Sequence, residues 1–470
     1  VLSPSDSATL ASTTDVVSQA LVAFILVGTL VLLALERAHR VLIVVCSVAT
    51  IWLISYLTPF RLVTFERAVT HLDVNVLLLL AGMMALVGVL KETGALQWIV
   101  AKLVSSTGDD PARAVVLLWW FTAVASALLD NVTTVIFVAP LALAVARTVN
   151  APAPAVILPV IMAANVGGTA TLVGDPPNIL IGSGAGLSFM DFVRNLTAPV
   201  LVMLVWLTWH SKRGLRRAMA SAPEPLEPIA ATRIPPITNP VLLTWLMGIS
   251  VFVLIGFVTH GSTGMPAAIP AIIGAAAALL VQDVLYLRTN RPTAEERRHG
   301  ILHVLEHEIE WPTLSFFAFL FIIIGAAVET GLIGTIAQSL EQAIAFGRDS
   351  WGLSDTGTVL FAALLILWAA GLLSAAMDNI PFVAVSIPVV ATLIPTLPGD
   401  ASVMWWALSL GACLGGNGSP IGASANVTVL GLAEKDGTHI RFGEFLRHGI
   451  PVMLVTLLIS TVWCWWYVAW

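Results

Sequence analysis

LLDNVTTVIFVAP (Leu128–Pro140) and AMDNIPFVAVSIP (Ala376–Pro388) are two versions of one phrase. NVGGTATLVGDPPN (Asn165–Asn178) likewise returns as CLGGNGSPIGASAN (Cys413–Asn426), and both pairs share an offset of 248 residues, Asp130 matching Asp378 and Gly167 matching Gly415. A third match, KETG (Lys91–Gly94) with VETG (Val328–Gly331), is 237 residues apart, so the copies differ in one connecting length. Polar, Gly- and Pro-interrupted pieces at corresponding places in two apolar halves point to a transporter's binding site.

Composition sets the solvent. Hydrophobic residues make up 58% and charged residues 11% of the chain, against about 45–50% and 25% in soluble domains. This is an integral membrane protein, for which the placement of Lys and Arg matters more than the net charge of −6. Cys46, Cys413 and Cys464 are scattered and suggest neither disulfides nor zinc. Residues 1–18 lack a basic signal-peptide start and read as a short exposed N-terminal tail.

Taking about 20 apolar residues per span, the first half offers crossings near 19–36, 41–59, 74–91, 154–190 with a break, and 195–211. The second offers 240–259, 266–286, 312–340, 402–433 with a break, and 448–468. The apolar stretches 112–147 and 357–395 are interrupted by Asp-Asn and read as re-entrant hairpins. With that assignment seventeen Lys and Arg gather on one face, and only Arg61, Arg67, Arg194 and Arg348 lie on the other, leaving Lys91 unassigned. The positive-inside rule makes the rich face cytoplasmic and both termini external, in a plasma (inner) membrane. Five crossings per half, an odd number, turn the second repeat (240–470) upside down relative to the first (19–211). The expected fold is thus all-α, with two inverted repeats, ten crossings, two hairpins and two broken helices, joined by a cytoplasmic linker, 212–239. Arg288–Gly300 is a second cytoplasmic loop. No phosphate loop or cofactor motif is present, so ATP hydrolysis by this chain is not expected.

Asp130 and Asp378 fall midway along their hairpins, where a carboxylate costs about 2.5–3.5 kcal/mol on insertion scales. Function explains their charge better than a plain turn does. Asn131 and Asn379 follow as candidate N-caps, or as members of a hydrogen-bonded turn. In the broken helices Gly168 releases the first helix, Thr169 and Thr171 offer hydroxyls, and Asp175-Pro176-Pro177 reads as an N-cap with proline in the next first turn. Asn178 closes this copy; Gly416, Asn417, Ser419 and Asn426 play the same parts in the second. A packing kink would account for the glycines and prolines, but not for the Thr, Asn and Ser among them. The copies also differ. Asp175 faces Ala423 in the alignment, while Thr133 and Thr134 face Pro381 and Phe382. An acid needed only once suits proton or cation coupling, and the more polar first tip suits substrate contact. Asp130, Asp175 and Asp378 are therefore the coupling candidates, and the other named residues are candidate substrate ligands. Glu92 and Glu329, before the repeated Thr-Gly, read as helix ends. His299, His303 and His307 read as solvated loop residues, and the tryptophans of the final VWCWWYVAW as an interfacial belt. No metal site or nucleic-acid partner is expected.

At LLDNVTTVIFVAP and GGTATLVGDPPNILIG the chain resembles the ion transporter superfamily, on the branch of the arsenite/antimonite efflux permeases (ArsB), the melanosomal P protein and the NhaD-type sodium/proton antiporters. The resemblance implies a scaffold plus a transport unit of two opposed hairpins and two broken helices, working by elevator-type alternating access. Related dicarboxylate transporters carry Ser-Asn-Thr at the tips, and Asp-Asn here argues against a dianionic substrate. Proton-coupled efflux of arsenite or antimonite is the implied activity. Sodium/proton antiport and anion transport are the alternatives, and an intramembrane aspartyl protease ranks far below. The resemblance leaves membrane lipid, a cytoplasmic ATPase and a second copy of the chain as partners.

Overall fold

In lipid every backbone N–H and C=O must be paired within the segment, so long apolar runs fold as helices. The computed structural model describes residues 4–35, 37–107, 110–148, 150–220, 236–290 and 303–470, and all elements among them are helical. The first half comprises α1 (Pro4–Leu35), α2 (Arg40–Leu57), the short α3 (Phe65–Thr70), α4 (Val74–Glu92), α5 (Ala95–Ser105), α6 (Pro111–Leu128), α7 (Asn131–Thr148), α8 (Ala153–Gly168), α9 (Pro176–Ala185) and α10 (Phe189–Ala220). The second comprises α11 (Pro240–Thr263), α12 (Ala268–Asn290), α13 (Trp311–Glu329), α14 (Leu332–Trp351), α15 (Asp355–Ala376), α16 (Asn379–Leu393), α17 (Val403–Gly415), α18 (Ser424–Lys435) and α19 (Phe442–Ala469).

Among the described residues ten helices are long and apolar enough to cross a membrane. The number equals the expected one, but the set differs. Eight are expected continuous crossings; the other two, Asp355–Ala376 and Asn379–Thr396, are the arms of the second hairpin. The two broken crossings are split into α8/α9 and α17/α18, none of which is long enough alone. The expected span 312–340 is also two helices. Gly331 adopts φ +75° and ends α13, as Gly94 at φ +69° ends α4, so both ETG motifs are helix stops of the left-handed glycine type.

Other boundaries move as well. α1 begins at Pro4, so most of the stretch read as a tail is helical. α10 runs on to Ala220, so the linker begins with two more helical turns, while residues 221–235 and 291–302, including His299, lie outside the described residues. Trp465, Trp466 and Trp470 are exposed at the end of α19, as an interfacial belt requires.

The duplication is structural. Ser126 Oγ donates to Ala164 O at 2.8 Å, and its counterpart Ser374 Oγ donates to Ala412 O at 2.6 Å. A Cβ on Gly167 would sit 2.2 Å from Ala123 O, and one on Gly415 2.4 Å from Gly371 O, so each hairpin presses its backbone against a broken helix at the same point. Helices also pair reciprocally. α2 packs on α13, and α12, the counterpart of α2, packs on α4, the counterpart of α13. That pattern is a pseudo-two-fold. The helices form two groups. In one, α1, α2, α4, α11, α12 and α13 pack on one another; in the other, α6 and α7 pack on α8, and α15 and α16 on α17. α4 meets α9 and α13 meets α16 along the seam between the groups.

Candidate functional site

Both hairpin tips and both helix breaks converge on that seam. A cavity of ≈ 100 Å³ is walled by Asp130 and Asn131 of the first tip, Asn379 of the second, Asp175 at the start of α9 and Ser424 at the start of α18. Leu80 and Met84 of α4, with Arg40 and Glu310, close it from the other group. A larger cavity of ≈ 360 Å³ lies further along the seam, lined by Asn75, Leu79, Ser183 and His260. Its histidine is engaged, Nε2 accepting from Phe189 N at 2.9 Å, and it has no carboxylate, so the chemistry belongs to the smaller cavity.

The tip aspartates, and not the asparagines after them, cap the inner arms. Asp130 Oδ1 accepts from Thr133 N at 2.8 Å and its Oδ2 from the Thr133 hydroxyl. Asp378 Oδ1 accepts from Ile380 N at 3.2 Å. Each carboxylate thus lies against the positive end of a helix dipole. Asn131 begins α7 and sends its amide inward, Nδ2 donating to Asp175 Oδ1 at 3.1 Å and to Asn165 Oδ1 at 3.3 Å. Asn379 Nδ2 is buried without a hydrogen-bond partner.

Asp175 has the backbone of an N-cap (φ −145°, ψ 133°) but makes no cap hydrogen bond. Pro176 and Pro177 supply no N–H for it, and its side chain turns to the cavity instead. It is 1% exposed; Asn131 serves its Oδ1, the Cys413 thiol stands close to the carboxyl, and its Oδ2 makes no hydrogen bond of good geometry. A buried carboxyl oxygen left unpaired is costly unless a proton or ligand serves it. Ala423 adopts the same conformation (φ −151°, ψ 142°) at the matched break, so the backbone there does not demand an acid.

The remaining predicted residues divide into those that hold the breaks and those that line other surfaces. Asn178 Nδ2 donates to Thr169 O (3.1 Å) and Thr171 O (2.9 Å), and Asn426 Nδ2 repeats this on Gly416 O (2.7 Å) and Ser419 O (2.8 Å). Thr169 Oγ1 donates to Asn165 O and Thr171 Oγ1 to Ala127 O. Gly168 lies so close to Gly174 that a Cβ would meet its carbonyl oxygen at 2.5 Å. These groups are spent on the unwound backbone. Asn417 Nδ2 and Ser419 Oγ are buried and unpartnered but do not line the cavity. Thr133 serves Asp130, and Thr134 faces a narrow apolar crevice with Leu96, Phe121 and Phe137, away from the other tip residues. Asp130 and Asp175 share the cavity, whereas Asp378 opens onto a neighbouring one of ≈ 240 Å³.

Four site residues carried no local signal. Asn165 is the hub of the two halves, its Nδ2 donating to both Asn417 Oδ1 and Asn426 Oδ1 at 3.0 Å. Its counterpart Cys413 returns the contact, Sγ donating to Asn178 Oδ1 at 3.5 Å, with Ser409 Oγ at 2.6 Å. Arg40 and Glu310 sit at the starts of apolar helices and looked like ordinary flanking charges; Ser424 matches Pro176 and so was not repeated.

Chemically, the cavity offers carboxylates, an unpaired carboxyl oxygen and an unpaired amide. For an anion it offers Arg40 and the start of α18, whose N-cap Ala423 has no side-chain cap. Asp130 and Asp378 already occupy the N-termini of α7 and α16, and prolines fill the first two positions of α9. Among the described residues no three His, Cys, Asp or Glu side chains are placed to share a metal ion.

Residues 30–411 match the family described as "Citrate transporter". An uncharacterized transporter of Mycobacterium tuberculosis is 34% identical over 94% of this chain and 96% of its own length. A 46 kDa membrane protein of Mycobacterium leprae is 32% identical over 94% and 97%. The human P protein is 28% identical over 93% of this chain and 58% of its own length. The crystal structure of the Alcanivorax borkumensis YdaH transporter, described as having an unusual topology, matches in fold with a TM-score of 0.64 at 16% identity, over 92% of this chain and 98% of that one. With the family matched across most of its length and transporters among its relatives, this chain belongs to the citrate transporter family of the ion transporter superfamily and is a membrane transporter, not an enzyme.

Proposed function

We propose that the chain is a proton-coupled secondary transporter that exports a small uncharged hydroxylated solute, arsenite or antimonite, by alternating access. The observation that carries this reading is the buried, unpaired Asp175 Oδ2 beside the unpaired Asn379 Nδ2 on one small cavity. An undissociated oxyacid exchanges hydrogen bonds with such groups as donor and acceptor, and Asp175 carries the counter-moving proton. Thiol capture of arsenic is not the mode of binding, because Cys413 is the one cysteine near the site. By the charge bias of its loops the protein sits in the plasma membrane with both termini outside, and this conformation presents the site towards the cytoplasmic starts of α2 and α13.

Citrate, which the family's description names, fits the cavity poorly. A polyanion would sit among Asp130, Asp175 and Glu310, with Asp378 on the neighbouring cavity and Arg40 the one cation lining either among the described residues, and like charges at close range repel. Sodium/proton antiport is the second reading, favoured by the same carboxylates. Proteoliposomes with an imposed proton gradient, offered arsenite, antimonite, sodium and citrate in turn, decide between them. Arsenite and antimonite movement with sodium and citrate inert is the expected result; citrate transport, or proton flux driven by sodium alone, sinks the proposal.

A further inference from the structure

The two tip aspartates occupy matched positions but are held differently. Asp130 is served from within its own hairpin by the backbone N–H and hydroxyl of Thr133. At the position matching Thr133 the second copy has Pro381, which has neither group. Asp378 keeps one bond within its hairpin, Oδ1 accepting from Ile380 N, but its second oxygen takes partners from elsewhere: Ser424 Oγ donates to Oδ2 at 2.8 Å, and Arg40 Nη1 lies 3.6 Å from the same atom. Arg40 also donates to Ser424 Oγ at 2.9 Å. Ser424 in turn stands where the first copy has Pro176. Two substitutions between the copies, Thr to Pro and Pro to Ser, thus turn one carboxylate oxygen from its own helix to Ser424 and to an arginine across the seam.

Arg40 belongs to α2, which packs with α13, while Asp378 and Ser424 begin α16 and α18 of the other group. The triad is also a partition. Arg40 and Ser424 stand in the walls of both the ≈ 100 Å³ cavity and its ≈ 240 Å³ neighbour, and Arg40 is the one cation among the described residues lining either. The other charged groups around Asp378 are all acidic: Asp175 at the start of α9, Asp130 at the first tip and Glu310 ahead of α13.

From this we propose that Arg40 is a charge-pairing residue that makes movement across the seam conditional on occupancy of Asp378. While Asp378 is bare, Arg40 pairs with it and ties the two groups together. Separating them forfeits the pair and the hydrogen bonds it shares with Ser424; with Arg40 42% and Asp378 22% exposed the penalty is modest, enough to bias the movement rather than to forbid it. A proton on Asp378, or a hydroxyl of the bound solute donating to its carboxylate, releases Arg40, merges the two cavities and lets the group carrying the site move. The bare carrier moves more slowly than the occupied one, so return with a passenger is favoured and exchange is coupled. This inference rests on the transport reading above and adds the source of its coupling.

The test uses the full chain in liposomes loaded with a pH dye, with arsenite and sodium as probes, together with melting curves in detergent. Arg40→Gln is expected to raise proton leak without substrate about tenfold. Arg40→Lys restores the wild-type leak, and Asp378→Asn added to Arg40→Gln does not raise the leak further. Arg40→Gln with wild-type leak overturns the proposal. The melting temperatures of Arg40→Gln, Asp378→Asn and the double variant read the pair without any transport: non-additive losses support it and additive losses overturn it. A wild-type protein that moves neither probe counts against the transport reading, and the melting cycle then still decides the pair.

Discussion

Asp175 and the two tip aspartates are chemically identical side chains with different work. Asp130 and Asp378 spend an oxygen on the first turn of the helix they begin, whereas Asp175 begins a helix whose first two residues are prolines and so has nothing local to cap. Its carboxyl is free for the cavity. Asp175→Asn keeps the shape and the Asn131 contact, so it should abolish proton-coupled transport, a loss of roughly a hundredfold or more, with stability changed by no more than about 1 kcal/mol. Counterflow in proteoliposomes and a melting curve measure the two; unchanged coupling removes Asp175 from the mechanism. That this residue stands apart was legible from Ala423 at the matched position. That Asn165 is the hub was not, because its matched residue is Cys413 and only the two-fold packing brings each opposite the other copy's asparagine.

Helix stops and breaks were the more legible features at the scale of elements, since they depend on residues a few positions apart. The ETG glycines stop α4 and α13 at positive φ, and the Gly-rich phrases open both crossing helices. The expectation of one span over 312–340 missed the second of these stops because hydrophobicity alone continues through Leu332 and Ile333. The hairpin-to-break contact is the most repeated feature of the fold. Ser126→Ala and Ser374→Ala each strip the same buried carbonyl of its donor, so each should cost about 1–3 kcal/mol, and by similar amounts. Melting temperatures compare them; a large cost for one and none for the other shows that the two hairpins are not equivalent in stability.

For the molecule as a whole, the inverted arrangement makes a topological prediction. Three crossings separate Arg61 from Arg216, both exposed. Arg61→Cys and Arg216→Cys, each in a Cys46→Ser background, should react with a membrane-impermeant thiol reagent from opposite sides, the first in intact cells and the second only in inverted vesicles. Reaction from one side contradicts the crossing count and with it the inverted relation. The pseudo-two-fold explains why two halves with different residues still share one site. Reciprocal contacts such as Asn165 to Asn426 and Cys413 to Asn178 place both breaks and both tips on a single seam.

The sequence by itself determined the solvent, the helices, the duplication and the singular acid, because hydrophobicity, capping and glycine conformations act over a few residues and repeat at a fixed offset. Only the tertiary structure decided which of the repeated polar residues line the cavity and which merely hold the breaks. It also supplied Arg40, Glu310 and Ser424, whose importance arises from neighbours far away in the chain: Arg40 and Asp378 are an ordinary helix-end cation and a tip carboxylate until packing sets them 3.6 Å apart. The strength of that interaction depends on distance across the seam, and no local pattern encodes it.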